Sequence, residues 1–281
     1  MTIVKVNDIE IFYTKFGSGP PFLMMHGGLG LDHTYFRPEF DSFGEHLQLI
    51  YFDYRCHGRS GRPPINTITY SQLADDAEEL RKVLGYNKIG MIGHSAGGFV
   101  ALTYAIKYPR NLSHLILMNT FPAFDRKHIK ESLAVIQAKN PSPELIKIFY
   151  GSDASTLEQL KSNYRITNYL YAYDYNSEIK KRFEKMLEDT IFNLEIGAIN
   201  NSLIAKFNVI SDLNKITTPT LVLGGVGDGM IPVSDVRRLH DNLPNSEMHI
   251  FEKSGHYPFF EEPETFIKVV LEWFKKVKLV K

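Results

Sequence analysis

The sequence predicts an α/β fold in which a mostly parallel sheet is flanked by helices. Between residues 47 and 118, short apolar runs alternate with longer amphipathic segments in the order strand, helix, strand, helix, strand. Such alternation is typical of parallel strands joined by right-handed crossovers. The alternation stops after residue 120 and resumes after residue 213, so the sequence predicts an insertion between two parts of one α/β core.

The first predicted elements place a hairpin at the edge of this sheet. Residues 3–6 and 9–16 alternate apolar with polar side chains, as expected of antiparallel strands with one solvated face. The continuous apolar runs at 22–25 and 47–52 predict strands that are covered on both faces.

The following segment predicts the centre of the sheet. An apolar stripe at helical spacing predicts a helix over 69–84, and apolar runs predict strands over 88–92 and 112–118. Between these two strands, residues 96–108 are rich in Ala, Leu and Tyr, which favours a helix that ends before Pro109.

The insertion is predicted to be an all-helical lid over the cleft of the core. Four helices are predicted in it, at 125–138, 142–150, 156–168 and 177–187. No strong buried-strand run interrupts them. The predicted organisation is therefore a core in two parts, residues 1–120 and 214–281, with the lid at 121–213.

The second part of the core returns to the strand and helix pattern. Strands are predicted at 220–223 and 247–251, and helices at 233–242 and 263–276. The first of these strands runs into a glycine-rich loop that carries Asp228. That carboxylate therefore lies at the carboxyl end of a parallel strand, where open α/β sheets place their chemistry.

Composition excludes several classes of function. Lys plus Arg equals Asp plus Glu, 32 against 32 in 281 residues, so neither nucleic acid nor a strongly charged partner is implied. No apolar run is long enough to span a membrane. The single cysteine, Cys56, cannot form an internal disulfide, and no residues have metal-ligand spacing of the Cys-X-X-Cys kind, so we expect a cytoplasmic protein without metal or cofactor.

The strongest candidate for a catalytic residue is Ser95. It is the centre of a Gly-X-Ser-X-Gly motif that follows the predicted strand at 88–92 and opens the predicted helix at 96–108. The motif alone decides little, since it arises by chance in about one ordinary chain in ten of this length. A strand before the serine and a helix after it are the context that a nucleophile at a sharp turn requires.

Two backbone amides are candidates for an oxyanion hole. Three glycines follow the strand at 22–25 within a span of five residues, and they permit a loop whose amides point into the cleft. We expect the amide of Gly28 to serve, with Gly27 as the alternative, together with the amide of Ala96 after the serine.

The candidate acid and base follow the serine along the chain. Asp228 and His256 each come just after a predicted strand, which gives the order serine, acid, histidine. Rival positions for the acid are Asn119, which has no carboxylate, and Asp125, which lies several residues beyond its strand. His94, next to the serine, is predicted to pack and hydrogen-bond rather than act as a second base.

These motifs together resemble one branch of the α/β-hydrolase superfamily. The branch carries His-Gly-Gly-X-Gly, Asp-X-Arg-X-X-Gly-X-Ser, Gly-His-Ser-X-Gly-Gly, an Asp four residues before a Pro, and Gly-His-X-Pro. These stand here at 26–30, 53–60, 93–98, 228–232 and 255–258. The resemblance implies an eight-stranded sheet and a triad of Ser95, Asp228 and His256. It covers the core on both sides of the insertion but does not cover the lid.

Two positions depart from the pattern of the relatives. Cys56 stands where this branch usually has glycine, and Leu29 stands where the proline iminopeptidase group has proline. The first affects only the local loop.

The leading functional hypothesis is a cofactor-free serine hydrolase that cleaves a small to medium, largely apolar carboxylic ester. An aminopeptidase similar to proline iminopeptidases is the runner-up, and it requires lid carboxylates to bind a free amine; the candidates are Glu178, Glu184, Glu188 and Glu195. Lactone or carbon–carbon bond hydrolysis stays open, as does a ligand receptor that keeps the triad. The expected partner is a small molecule, and the protein is expected to be a monomer or homodimer.

Overall fold

The computed structural model describes residues 2–151 and 154–280, and it contains one eight-stranded sheet. Its strands are β1 Thr2–Val6, β2 Ile9–Phe16, β3 Pro21–Met25, β4 Gln48–Phe52, β5 Ile89–His94, β6 Leu112–Met118, β7 Thr220–Gly225 and β8 Ser246–Phe251. Their order across the sheet is β1-β2-β4-β3-β5-β6-β7-β8. Only the pairings of β2 with β1 and with β4 are antiparallel. The predicted mostly parallel sheet is confirmed.

Ten α-helices lie in the described part of the chain. They are α1 Tyr70–Val83, α2 Ala96–Lys107, α3 Arg126–Ala138, α4 Pro143–Tyr150, α5 Leu157–Thr167, α6 Ser177–Asp189, α7 Leu194–Ile204, α8 Val233–Asn242, α9 Pro258–Glu261 and α10 Pro263–Lys276. Short 3-10 helices lie at His33–Phe36, Glu39–Glu45, Ile65–Thr67, Asn168–Leu170 and Ile210–Lys215. Helices α7 and α9 are additions to the elements predicted from the sequence.

The core forms one apolar layer on each face of the sheet. Along β3, Leu23 and Met25 pack into the layer that contains α1, α2 and α8, whereas Phe22 and Met24 pack into the layer that contains α10. This alternation is the period-two geometry of a strand with both faces covered.

Helices α3 to α7 form the insertion between β6 and β7. Its two ends leave the core side by side, because Ala123 and Asn208 form an antiparallel bridge. Next to this bridge, the amide of Phe124 donates to the carbonyl of Phe207 at 3.0 Å. This pairing supports our proposal of a lid at 121–213 between core segments 1–120 and 214–281.

The turn between β5 and α2 requires glycine because of a close backbone approach. A Cβ on Gly97 would lie 1.9 Å from the carbonyl oxygen of Met25 at the end of β3. Within the same turn, a Cβ on Gly93 would lie 2.8 Å from the carbonyl oxygen of Gly97. The start of α2 therefore packs directly on the ends of the central strands.

We expect Gly97→Ala to destabilise the protein by about 3 kcal/mol or more, because the backbone of β3 would have to move. Gly85→Ala is the matched control: Gly85 has φ +79° but no neighbouring atom within 4 Å. Its expected cost is about 1 kcal/mol, from the left-handed conformation alone. Urea unfolding of both variants checks this, and equal losses of stability would show that the close approach is not limiting.

Candidate active site

Ser95 lies at the sharp turn that the motif predicts. Its backbone has φ +53° and ψ −123°, a conformation that residues with a Cβ rarely adopt. The amide of Ser95 donates to the carbonyl of Met118 on the adjacent strand β6 at 2.9 Å. Ser95 itself lines a cavity between the core and the lid.

His256 and Asp228 form a buried hydrogen-bonded pair. Nδ1 of His256 lies 2.7 Å from Oδ2 of Asp228, and the two residues are 3% and 0% exposed. The other carboxylate oxygen, Oδ1, accepts from the amides of Met230 and Ile231 at 2.8 and 3.0 Å. Because a carboxylate only accepts, Nδ1 of His256 carries the proton and Nε2 is left as the acceptor of the neutral ring.

Asn119, which the sequence excludes as the acid because it has no carboxylate, hydrogen-bonds to the candidate acid. It follows β6 directly and has φ +46°, and its Nδ2 donates to Oδ2 of Asp228 at 2.8 Å and to the carbonyl of Gly255 at 3.0 Å. It therefore joins the loop of the acid to the loop of the histidine. Its position directly after a central strand was the available signal.

The structure brings the three predicted triad residues to one place. Ser95 and His256 line the same cavity, and Asp228 lies behind His256. Within residues 2–151 and 154–280, the Ser95 hydroxyl and the His256 ring do not form a hydrogen bond. Such contacts are often long in ligand-free sites and tighten when substrate binds.

The geometry distinguishes the two glycines that were candidates for the oxyanion hole. The amide of Gly27 already donates to the hydroxyl of Tyr35. Gly28 has φ +50° and lines the cavity together with Ala96. Gly28 is therefore the better placed of the two, and its amide and that of Ala96 stay our prediction for the oxyanion hole.

His94 lies under the site with both ring nitrogens engaged. Nδ1 is 3.0 Å from the Tyr35 hydroxyl, and Nε2 is 2.8 Å from the carbonyl oxygen of His256. The carbonyl can only accept, so Nε2 carries the proton and Nδ1 accepts from Tyr35. Burial, reinforced by the nearby His256, holds the pKa of His94 well below its ordinary value of 6.5.

Glu261 supports the loop that carries His256. Its carboxylate accepts from the amides of Gly255, Tyr257 and Tyr173 at 2.9, 3.1 and 2.7 Å. Burial raises the pKa of Glu261 to about 7, and the charge of Asp228 adds to this shift. One carboxylate therefore fastens both the histidine loop and a stretch of the lid.

The backbone of Cys56 explains why the related branch has glycine at this position. Its backbone has φ +63°, in the left-handed region that favours glycine, and its thiol donates to the carbonyl of Pro63. Burial raises the pKa of the thiol above its ordinary value. Cys56 does not belong to the described lining of the cavity, so its thiol lies apart from Ser95.

The cavity has a volume of about 680 Å³ and a largely apolar wall. The core contributes Ser95, His256 and aromatic rings such as Phe99, and the proposed lid contributes Tyr164 and Tyr171. Among the described residues that line it, none is Asp, Glu, Lys or Arg. The polar groups of the wall are tyrosines, histidines, a few hydroxyls and neutral amides.

The lid glutamates predicted for an aminopeptidase lie elsewhere. Glu184 pairs with Arg165 at 3.0 Å, Glu178 and Arg182 lie 3.3 Å apart on the surface of α6, and Glu188 and Glu195 are exposed. None of the four lines the cavity. No carboxylate of the described wall is therefore available to bind a substrate amine.

No helix in residues 2–151 and 154–280 is long and apolar enough to cross a membrane. Across the same residues, no cluster of three or more His, Cys, Asp or Glu side chains could hold a metal ion.

The fold and the site define the class of the protein. An eight-stranded α/β sheet carries a serine at a strained strand-to-helix turn beside a buried histidine–carboxylate pair. Residues 20–263 match the family described as the alpha/beta hydrolase fold, and the chain belongs to this family.

Known proteins resemble the chain over nearly its full length. The proline iminopeptidase of Saccharolobus solfataricus is 28% identical over 296 residues, covering 97% of this chain and 91% of that protein. An esterase structure from Exiguobacterium antarcticum has a TM-score of 0.79 and 24% identity, covering 98% of this chain and 99% of that one. The enol-lactonase structure from Burkholderia xenovorans LB400 has a TM-score of 0.77 and 18% identity, covering 98% of this chain and 100% of that one. At these identities the two structures show the fold alone.

We expect the stability of the protein to fall steeply in mild acid because of buried neutral histidines. Burial lowers the pKa of His26 to about 3, with a further contribution from His57, and burial lowers the pKa of His57 to about 4. At pH values between these lowered pKa values and the ordinary value of 6.5, the unfolded chain binds protons that the folded chain does not, so stability decreases as the pH falls. Each ring contributes about 1.4 kcal/mol per pH unit in that window.

Urea unfolding at pH values between 7 and 4 measures this dependence. His57→Asn keeps a donor near the position of Nδ1, which faces the carbonyl of Arg55 at 2.7 Å, and removes the titrating ring. The variant should show a shallower slope by about one proton. A wild-type stability that stays constant from pH 7 to pH 5 would contradict the assignment.

Proposed function

We propose that the protein is a serine hydrolase that cleaves a carboxylic ester of a small to medium apolar substrate through an acyl-enzyme intermediate. The observation that carries this proposal is the placement of Ser95 at a strained turn in the cavity wall, with His256 in the same wall and Asp228 hydrogen-bonded behind it. A serine hydroxyl is a weak nucleophile and needs such a base.

The proposed reaction has two halves. Nε2 of His256 takes the proton of Ser95 as Oγ attacks the ester carbonyl, and the amides of Gly28 and Ala96 stabilise the oxyanion. The tetrahedral intermediate collapses, the carbon–oxygen bond breaks, and His256 gives the proton to the leaving alcohol. Water then attacks the acyl-enzyme with His256 as base, which releases the acid and restores Ser95. Asp228 keeps the imidazole in the required tautomer throughout.

The character of the cavity favours an uncharged ester over an aminoacyl substrate. A protonated amine buried against an apolar wall without a carboxylate would lose its hydration without compensation. The described wall has no carboxylate, whereas its aromatic and aliphatic side chains suit an apolar acyl or alcohol group.

Aminopeptidase activity is the second candidate, since the relative from Saccharolobus solfataricus is named a proline iminopeptidase. The similar enol-lactonase structure keeps lactones in the set to be tested, and carbon–carbon bond hydrolysis stays an open alternative. A receptor that binds but hardly turns over its ligand is the alternative outside enzymes. A cytoplasmic location, a monomer or homodimer and a small-molecule partner stay predictions.

We expect Ser95→Ala and His256→Ala each to lower kcat by at least about ten-thousandfold, because each removes a member of one proton-transfer unit. Ser71→Ala, a serine on the exposed face of α1, is the control and should retain activity. Turnover of a p-nitrophenyl ester and labelling by a fluorophosphonate are the measurements, with thermal unfolding to verify the fold. Retained turnover in folded Ser95→Ala would refute the role of Ser95.

Substrate class is decided by comparing p-nitrophenyl esters of increasing acyl length, lactones and a proline anilide. We expect esters to be cleaved faster than the anilide by at least about a hundredfold, since no described wall carboxylate binds the amine. Asp153 lies outside the described residues, so Asp153→Asn is included in the anilide assay. Rapid anilide cleavage with negligible ester cleavage would overturn the ester proposal, and failure of wild-type Ser95 to react with the fluorophosphonate would favour the receptor.

A further inference from the structure

A second buried histidine–carboxylate pair borders the same cavity. Nδ1 of His128, in the first turn of α3, lies 2.6 Å from Oδ2 of Asp235 in α8. The two residues are 2% and 0% exposed. This geometry repeats that of His256 and Asp228, but the proposed ester hydrolysis makes no use of it.

The pair fixes the tautomer of His128. The Asp235 carboxylate only accepts, so Nδ1 of the ring carries the proton and donates it. Asp235 is held in place from its other side, because Arg238 Nη1 donates to Oδ1 at 3.1 Å. In the neutral ring, Nε2 is therefore a hydrogen-bond acceptor that faces away from Asp235.

Nε2 of His128 has no hydrogen-bond partner among residues 2–151 and 154–280, and the ring lines the cavity. Its ring neighbours are apolar, with the centroids of Phe121 and Phe124 at 4.4 and 5.1 Å. The other two cavity histidines are occupied, since His94 uses both nitrogens and His256 serves Ser95 in the proposed reaction. His128 is thus an acceptor in an apolar wall that nothing in the described chain satisfies.

A second acceptor in the lid points to the same kind of ligand. Asn200, on α7, lines the cavity, and its Oδ1 is buried without a hydrogen-bond partner in the described chain. Buried polar atoms are normally satisfied, so unpartnered acceptors in a binding cavity indicate that the ligand supplies donors. A nearby wall hydroxyl is already used, because Ser132 donates to the carbonyl of Gly229 at 2.6 Å.

We propose that His128, held in one tautomer by Asp235, binds a hydroxyl group of the substrate at a distance from the scissile carbonyl. The substrate class is then a hydroxy-substituted apolar ester rather than a plain alkyl ester. This inference rests on the proposed ester hydrolysis. His128 acts in it as a specificity-determining residue and takes no part in breaking the ester bond.

The test compares matched pairs of esters. One series consists of p-nitrophenyl esters of straight-chain acids with and without a terminal hydroxyl, over several chain lengths. The other consists of butanoate esters of simple alcohols and of the corresponding diols, which places the hydroxyl on the leaving group. The measured quantity is the ratio of kcat/KM for the hydroxylated and plain members of each pair.

Two variants separate substrate binding from structural support. His128→Asn keeps a donor near the position of Nδ1, toward Asp235, and removes the acceptor at Nε2. His128→Gln places an amide oxygen near the position of Nε2. His240→Asn, on the helix that carries Asp235 but outside the described wall, is the control.

In wild type, at least one pair should favour the hydroxylated ester. His128→Asn should lower that ratio about tenfold, the value of one hydrogen bond at the upper end of the usual range. His128→Gln should retain part of the ratio, and His240→Asn should leave it unchanged. Equal ratios in wild type and folded His128→Asn across both series would overturn the proposal. If the proposed function itself fails, the result is different, because neither member of any pair is cleaved.

The tautomer provides a readout that does not depend on activity. In ¹⁵N-histidine NMR spectra at neutral pH, the signals that disappear in His128→Asn should be those of a neutral ring protonated at Nδ1. Signals of a ring protonated at Nε2 would overturn the proposal even if hydroxylated esters are preferred.

Discussion

The strained backbone of Ser95 is the constraint on which the rest of the structure depends. A residue held at φ +53° and ψ −123° costs about 1–3 kcal/mol, and it persists only where its surroundings fix it. Here they do so because β3, β5 and β6 are neighbours in the sheet. The end of β6 accepts the Ser95 amide, and the end of β3 touches Gly97. The sheet order thus presents the hydroxyl to the cavity, and any rearrangement of these three strand ends would release it.

A chain of hydrogen bonds through His94, the residue before Ser95, connects the glycine loop to the loop of His256. It runs from the amide of Gly27 to the hydroxyl of Tyr35, on to His94, and from His94 to the carbonyl of His256. The amide of Gly27 can only donate and the carbonyl of His256 can only accept, so in the neutral ring of His94 the directions of all three bonds are determined. The chain is buried, where an unmade hydrogen bond is costly, and it therefore couples the position of the glycine loop to that of the proposed base.

The core could be predicted well from the sequence because its strands are continuous apolar runs bounded by clear turn signals. Strand β6 and helices α8 and α10 have the predicted bounds. Strand β5 continues two residues beyond its predicted end, to His94, because Gly93 is typical of a strand end but here belongs to the strand. Helix α7 was missed because Gly197, Asn200 and Asn201 have low helix propensity, so packing rather than local preference forms it. The sequence did not indicate the His128–Asp235 pair, since 107 residues separate its members and only the folded chain brings them together.

The proposed lid is connected to the candidate site, because its polar contacts reach the loops of the proposed triad. The carbonyl of Tyr171 accepts from the amide of His256 at 2.7 Å. Lys139 donates to the carbonyls of Leu170 and Gly227, at 3.0 and 2.9 Å, and Gly227 precedes Asp228. Movement of this stretch would therefore break hydrogen bonds to the loops of the proposed acid and base. We therefore expect substrate selectivity to depend on the parts of the wall that make no such contacts, α4, α5 and α7, and on the first turn of α3, which carries His128.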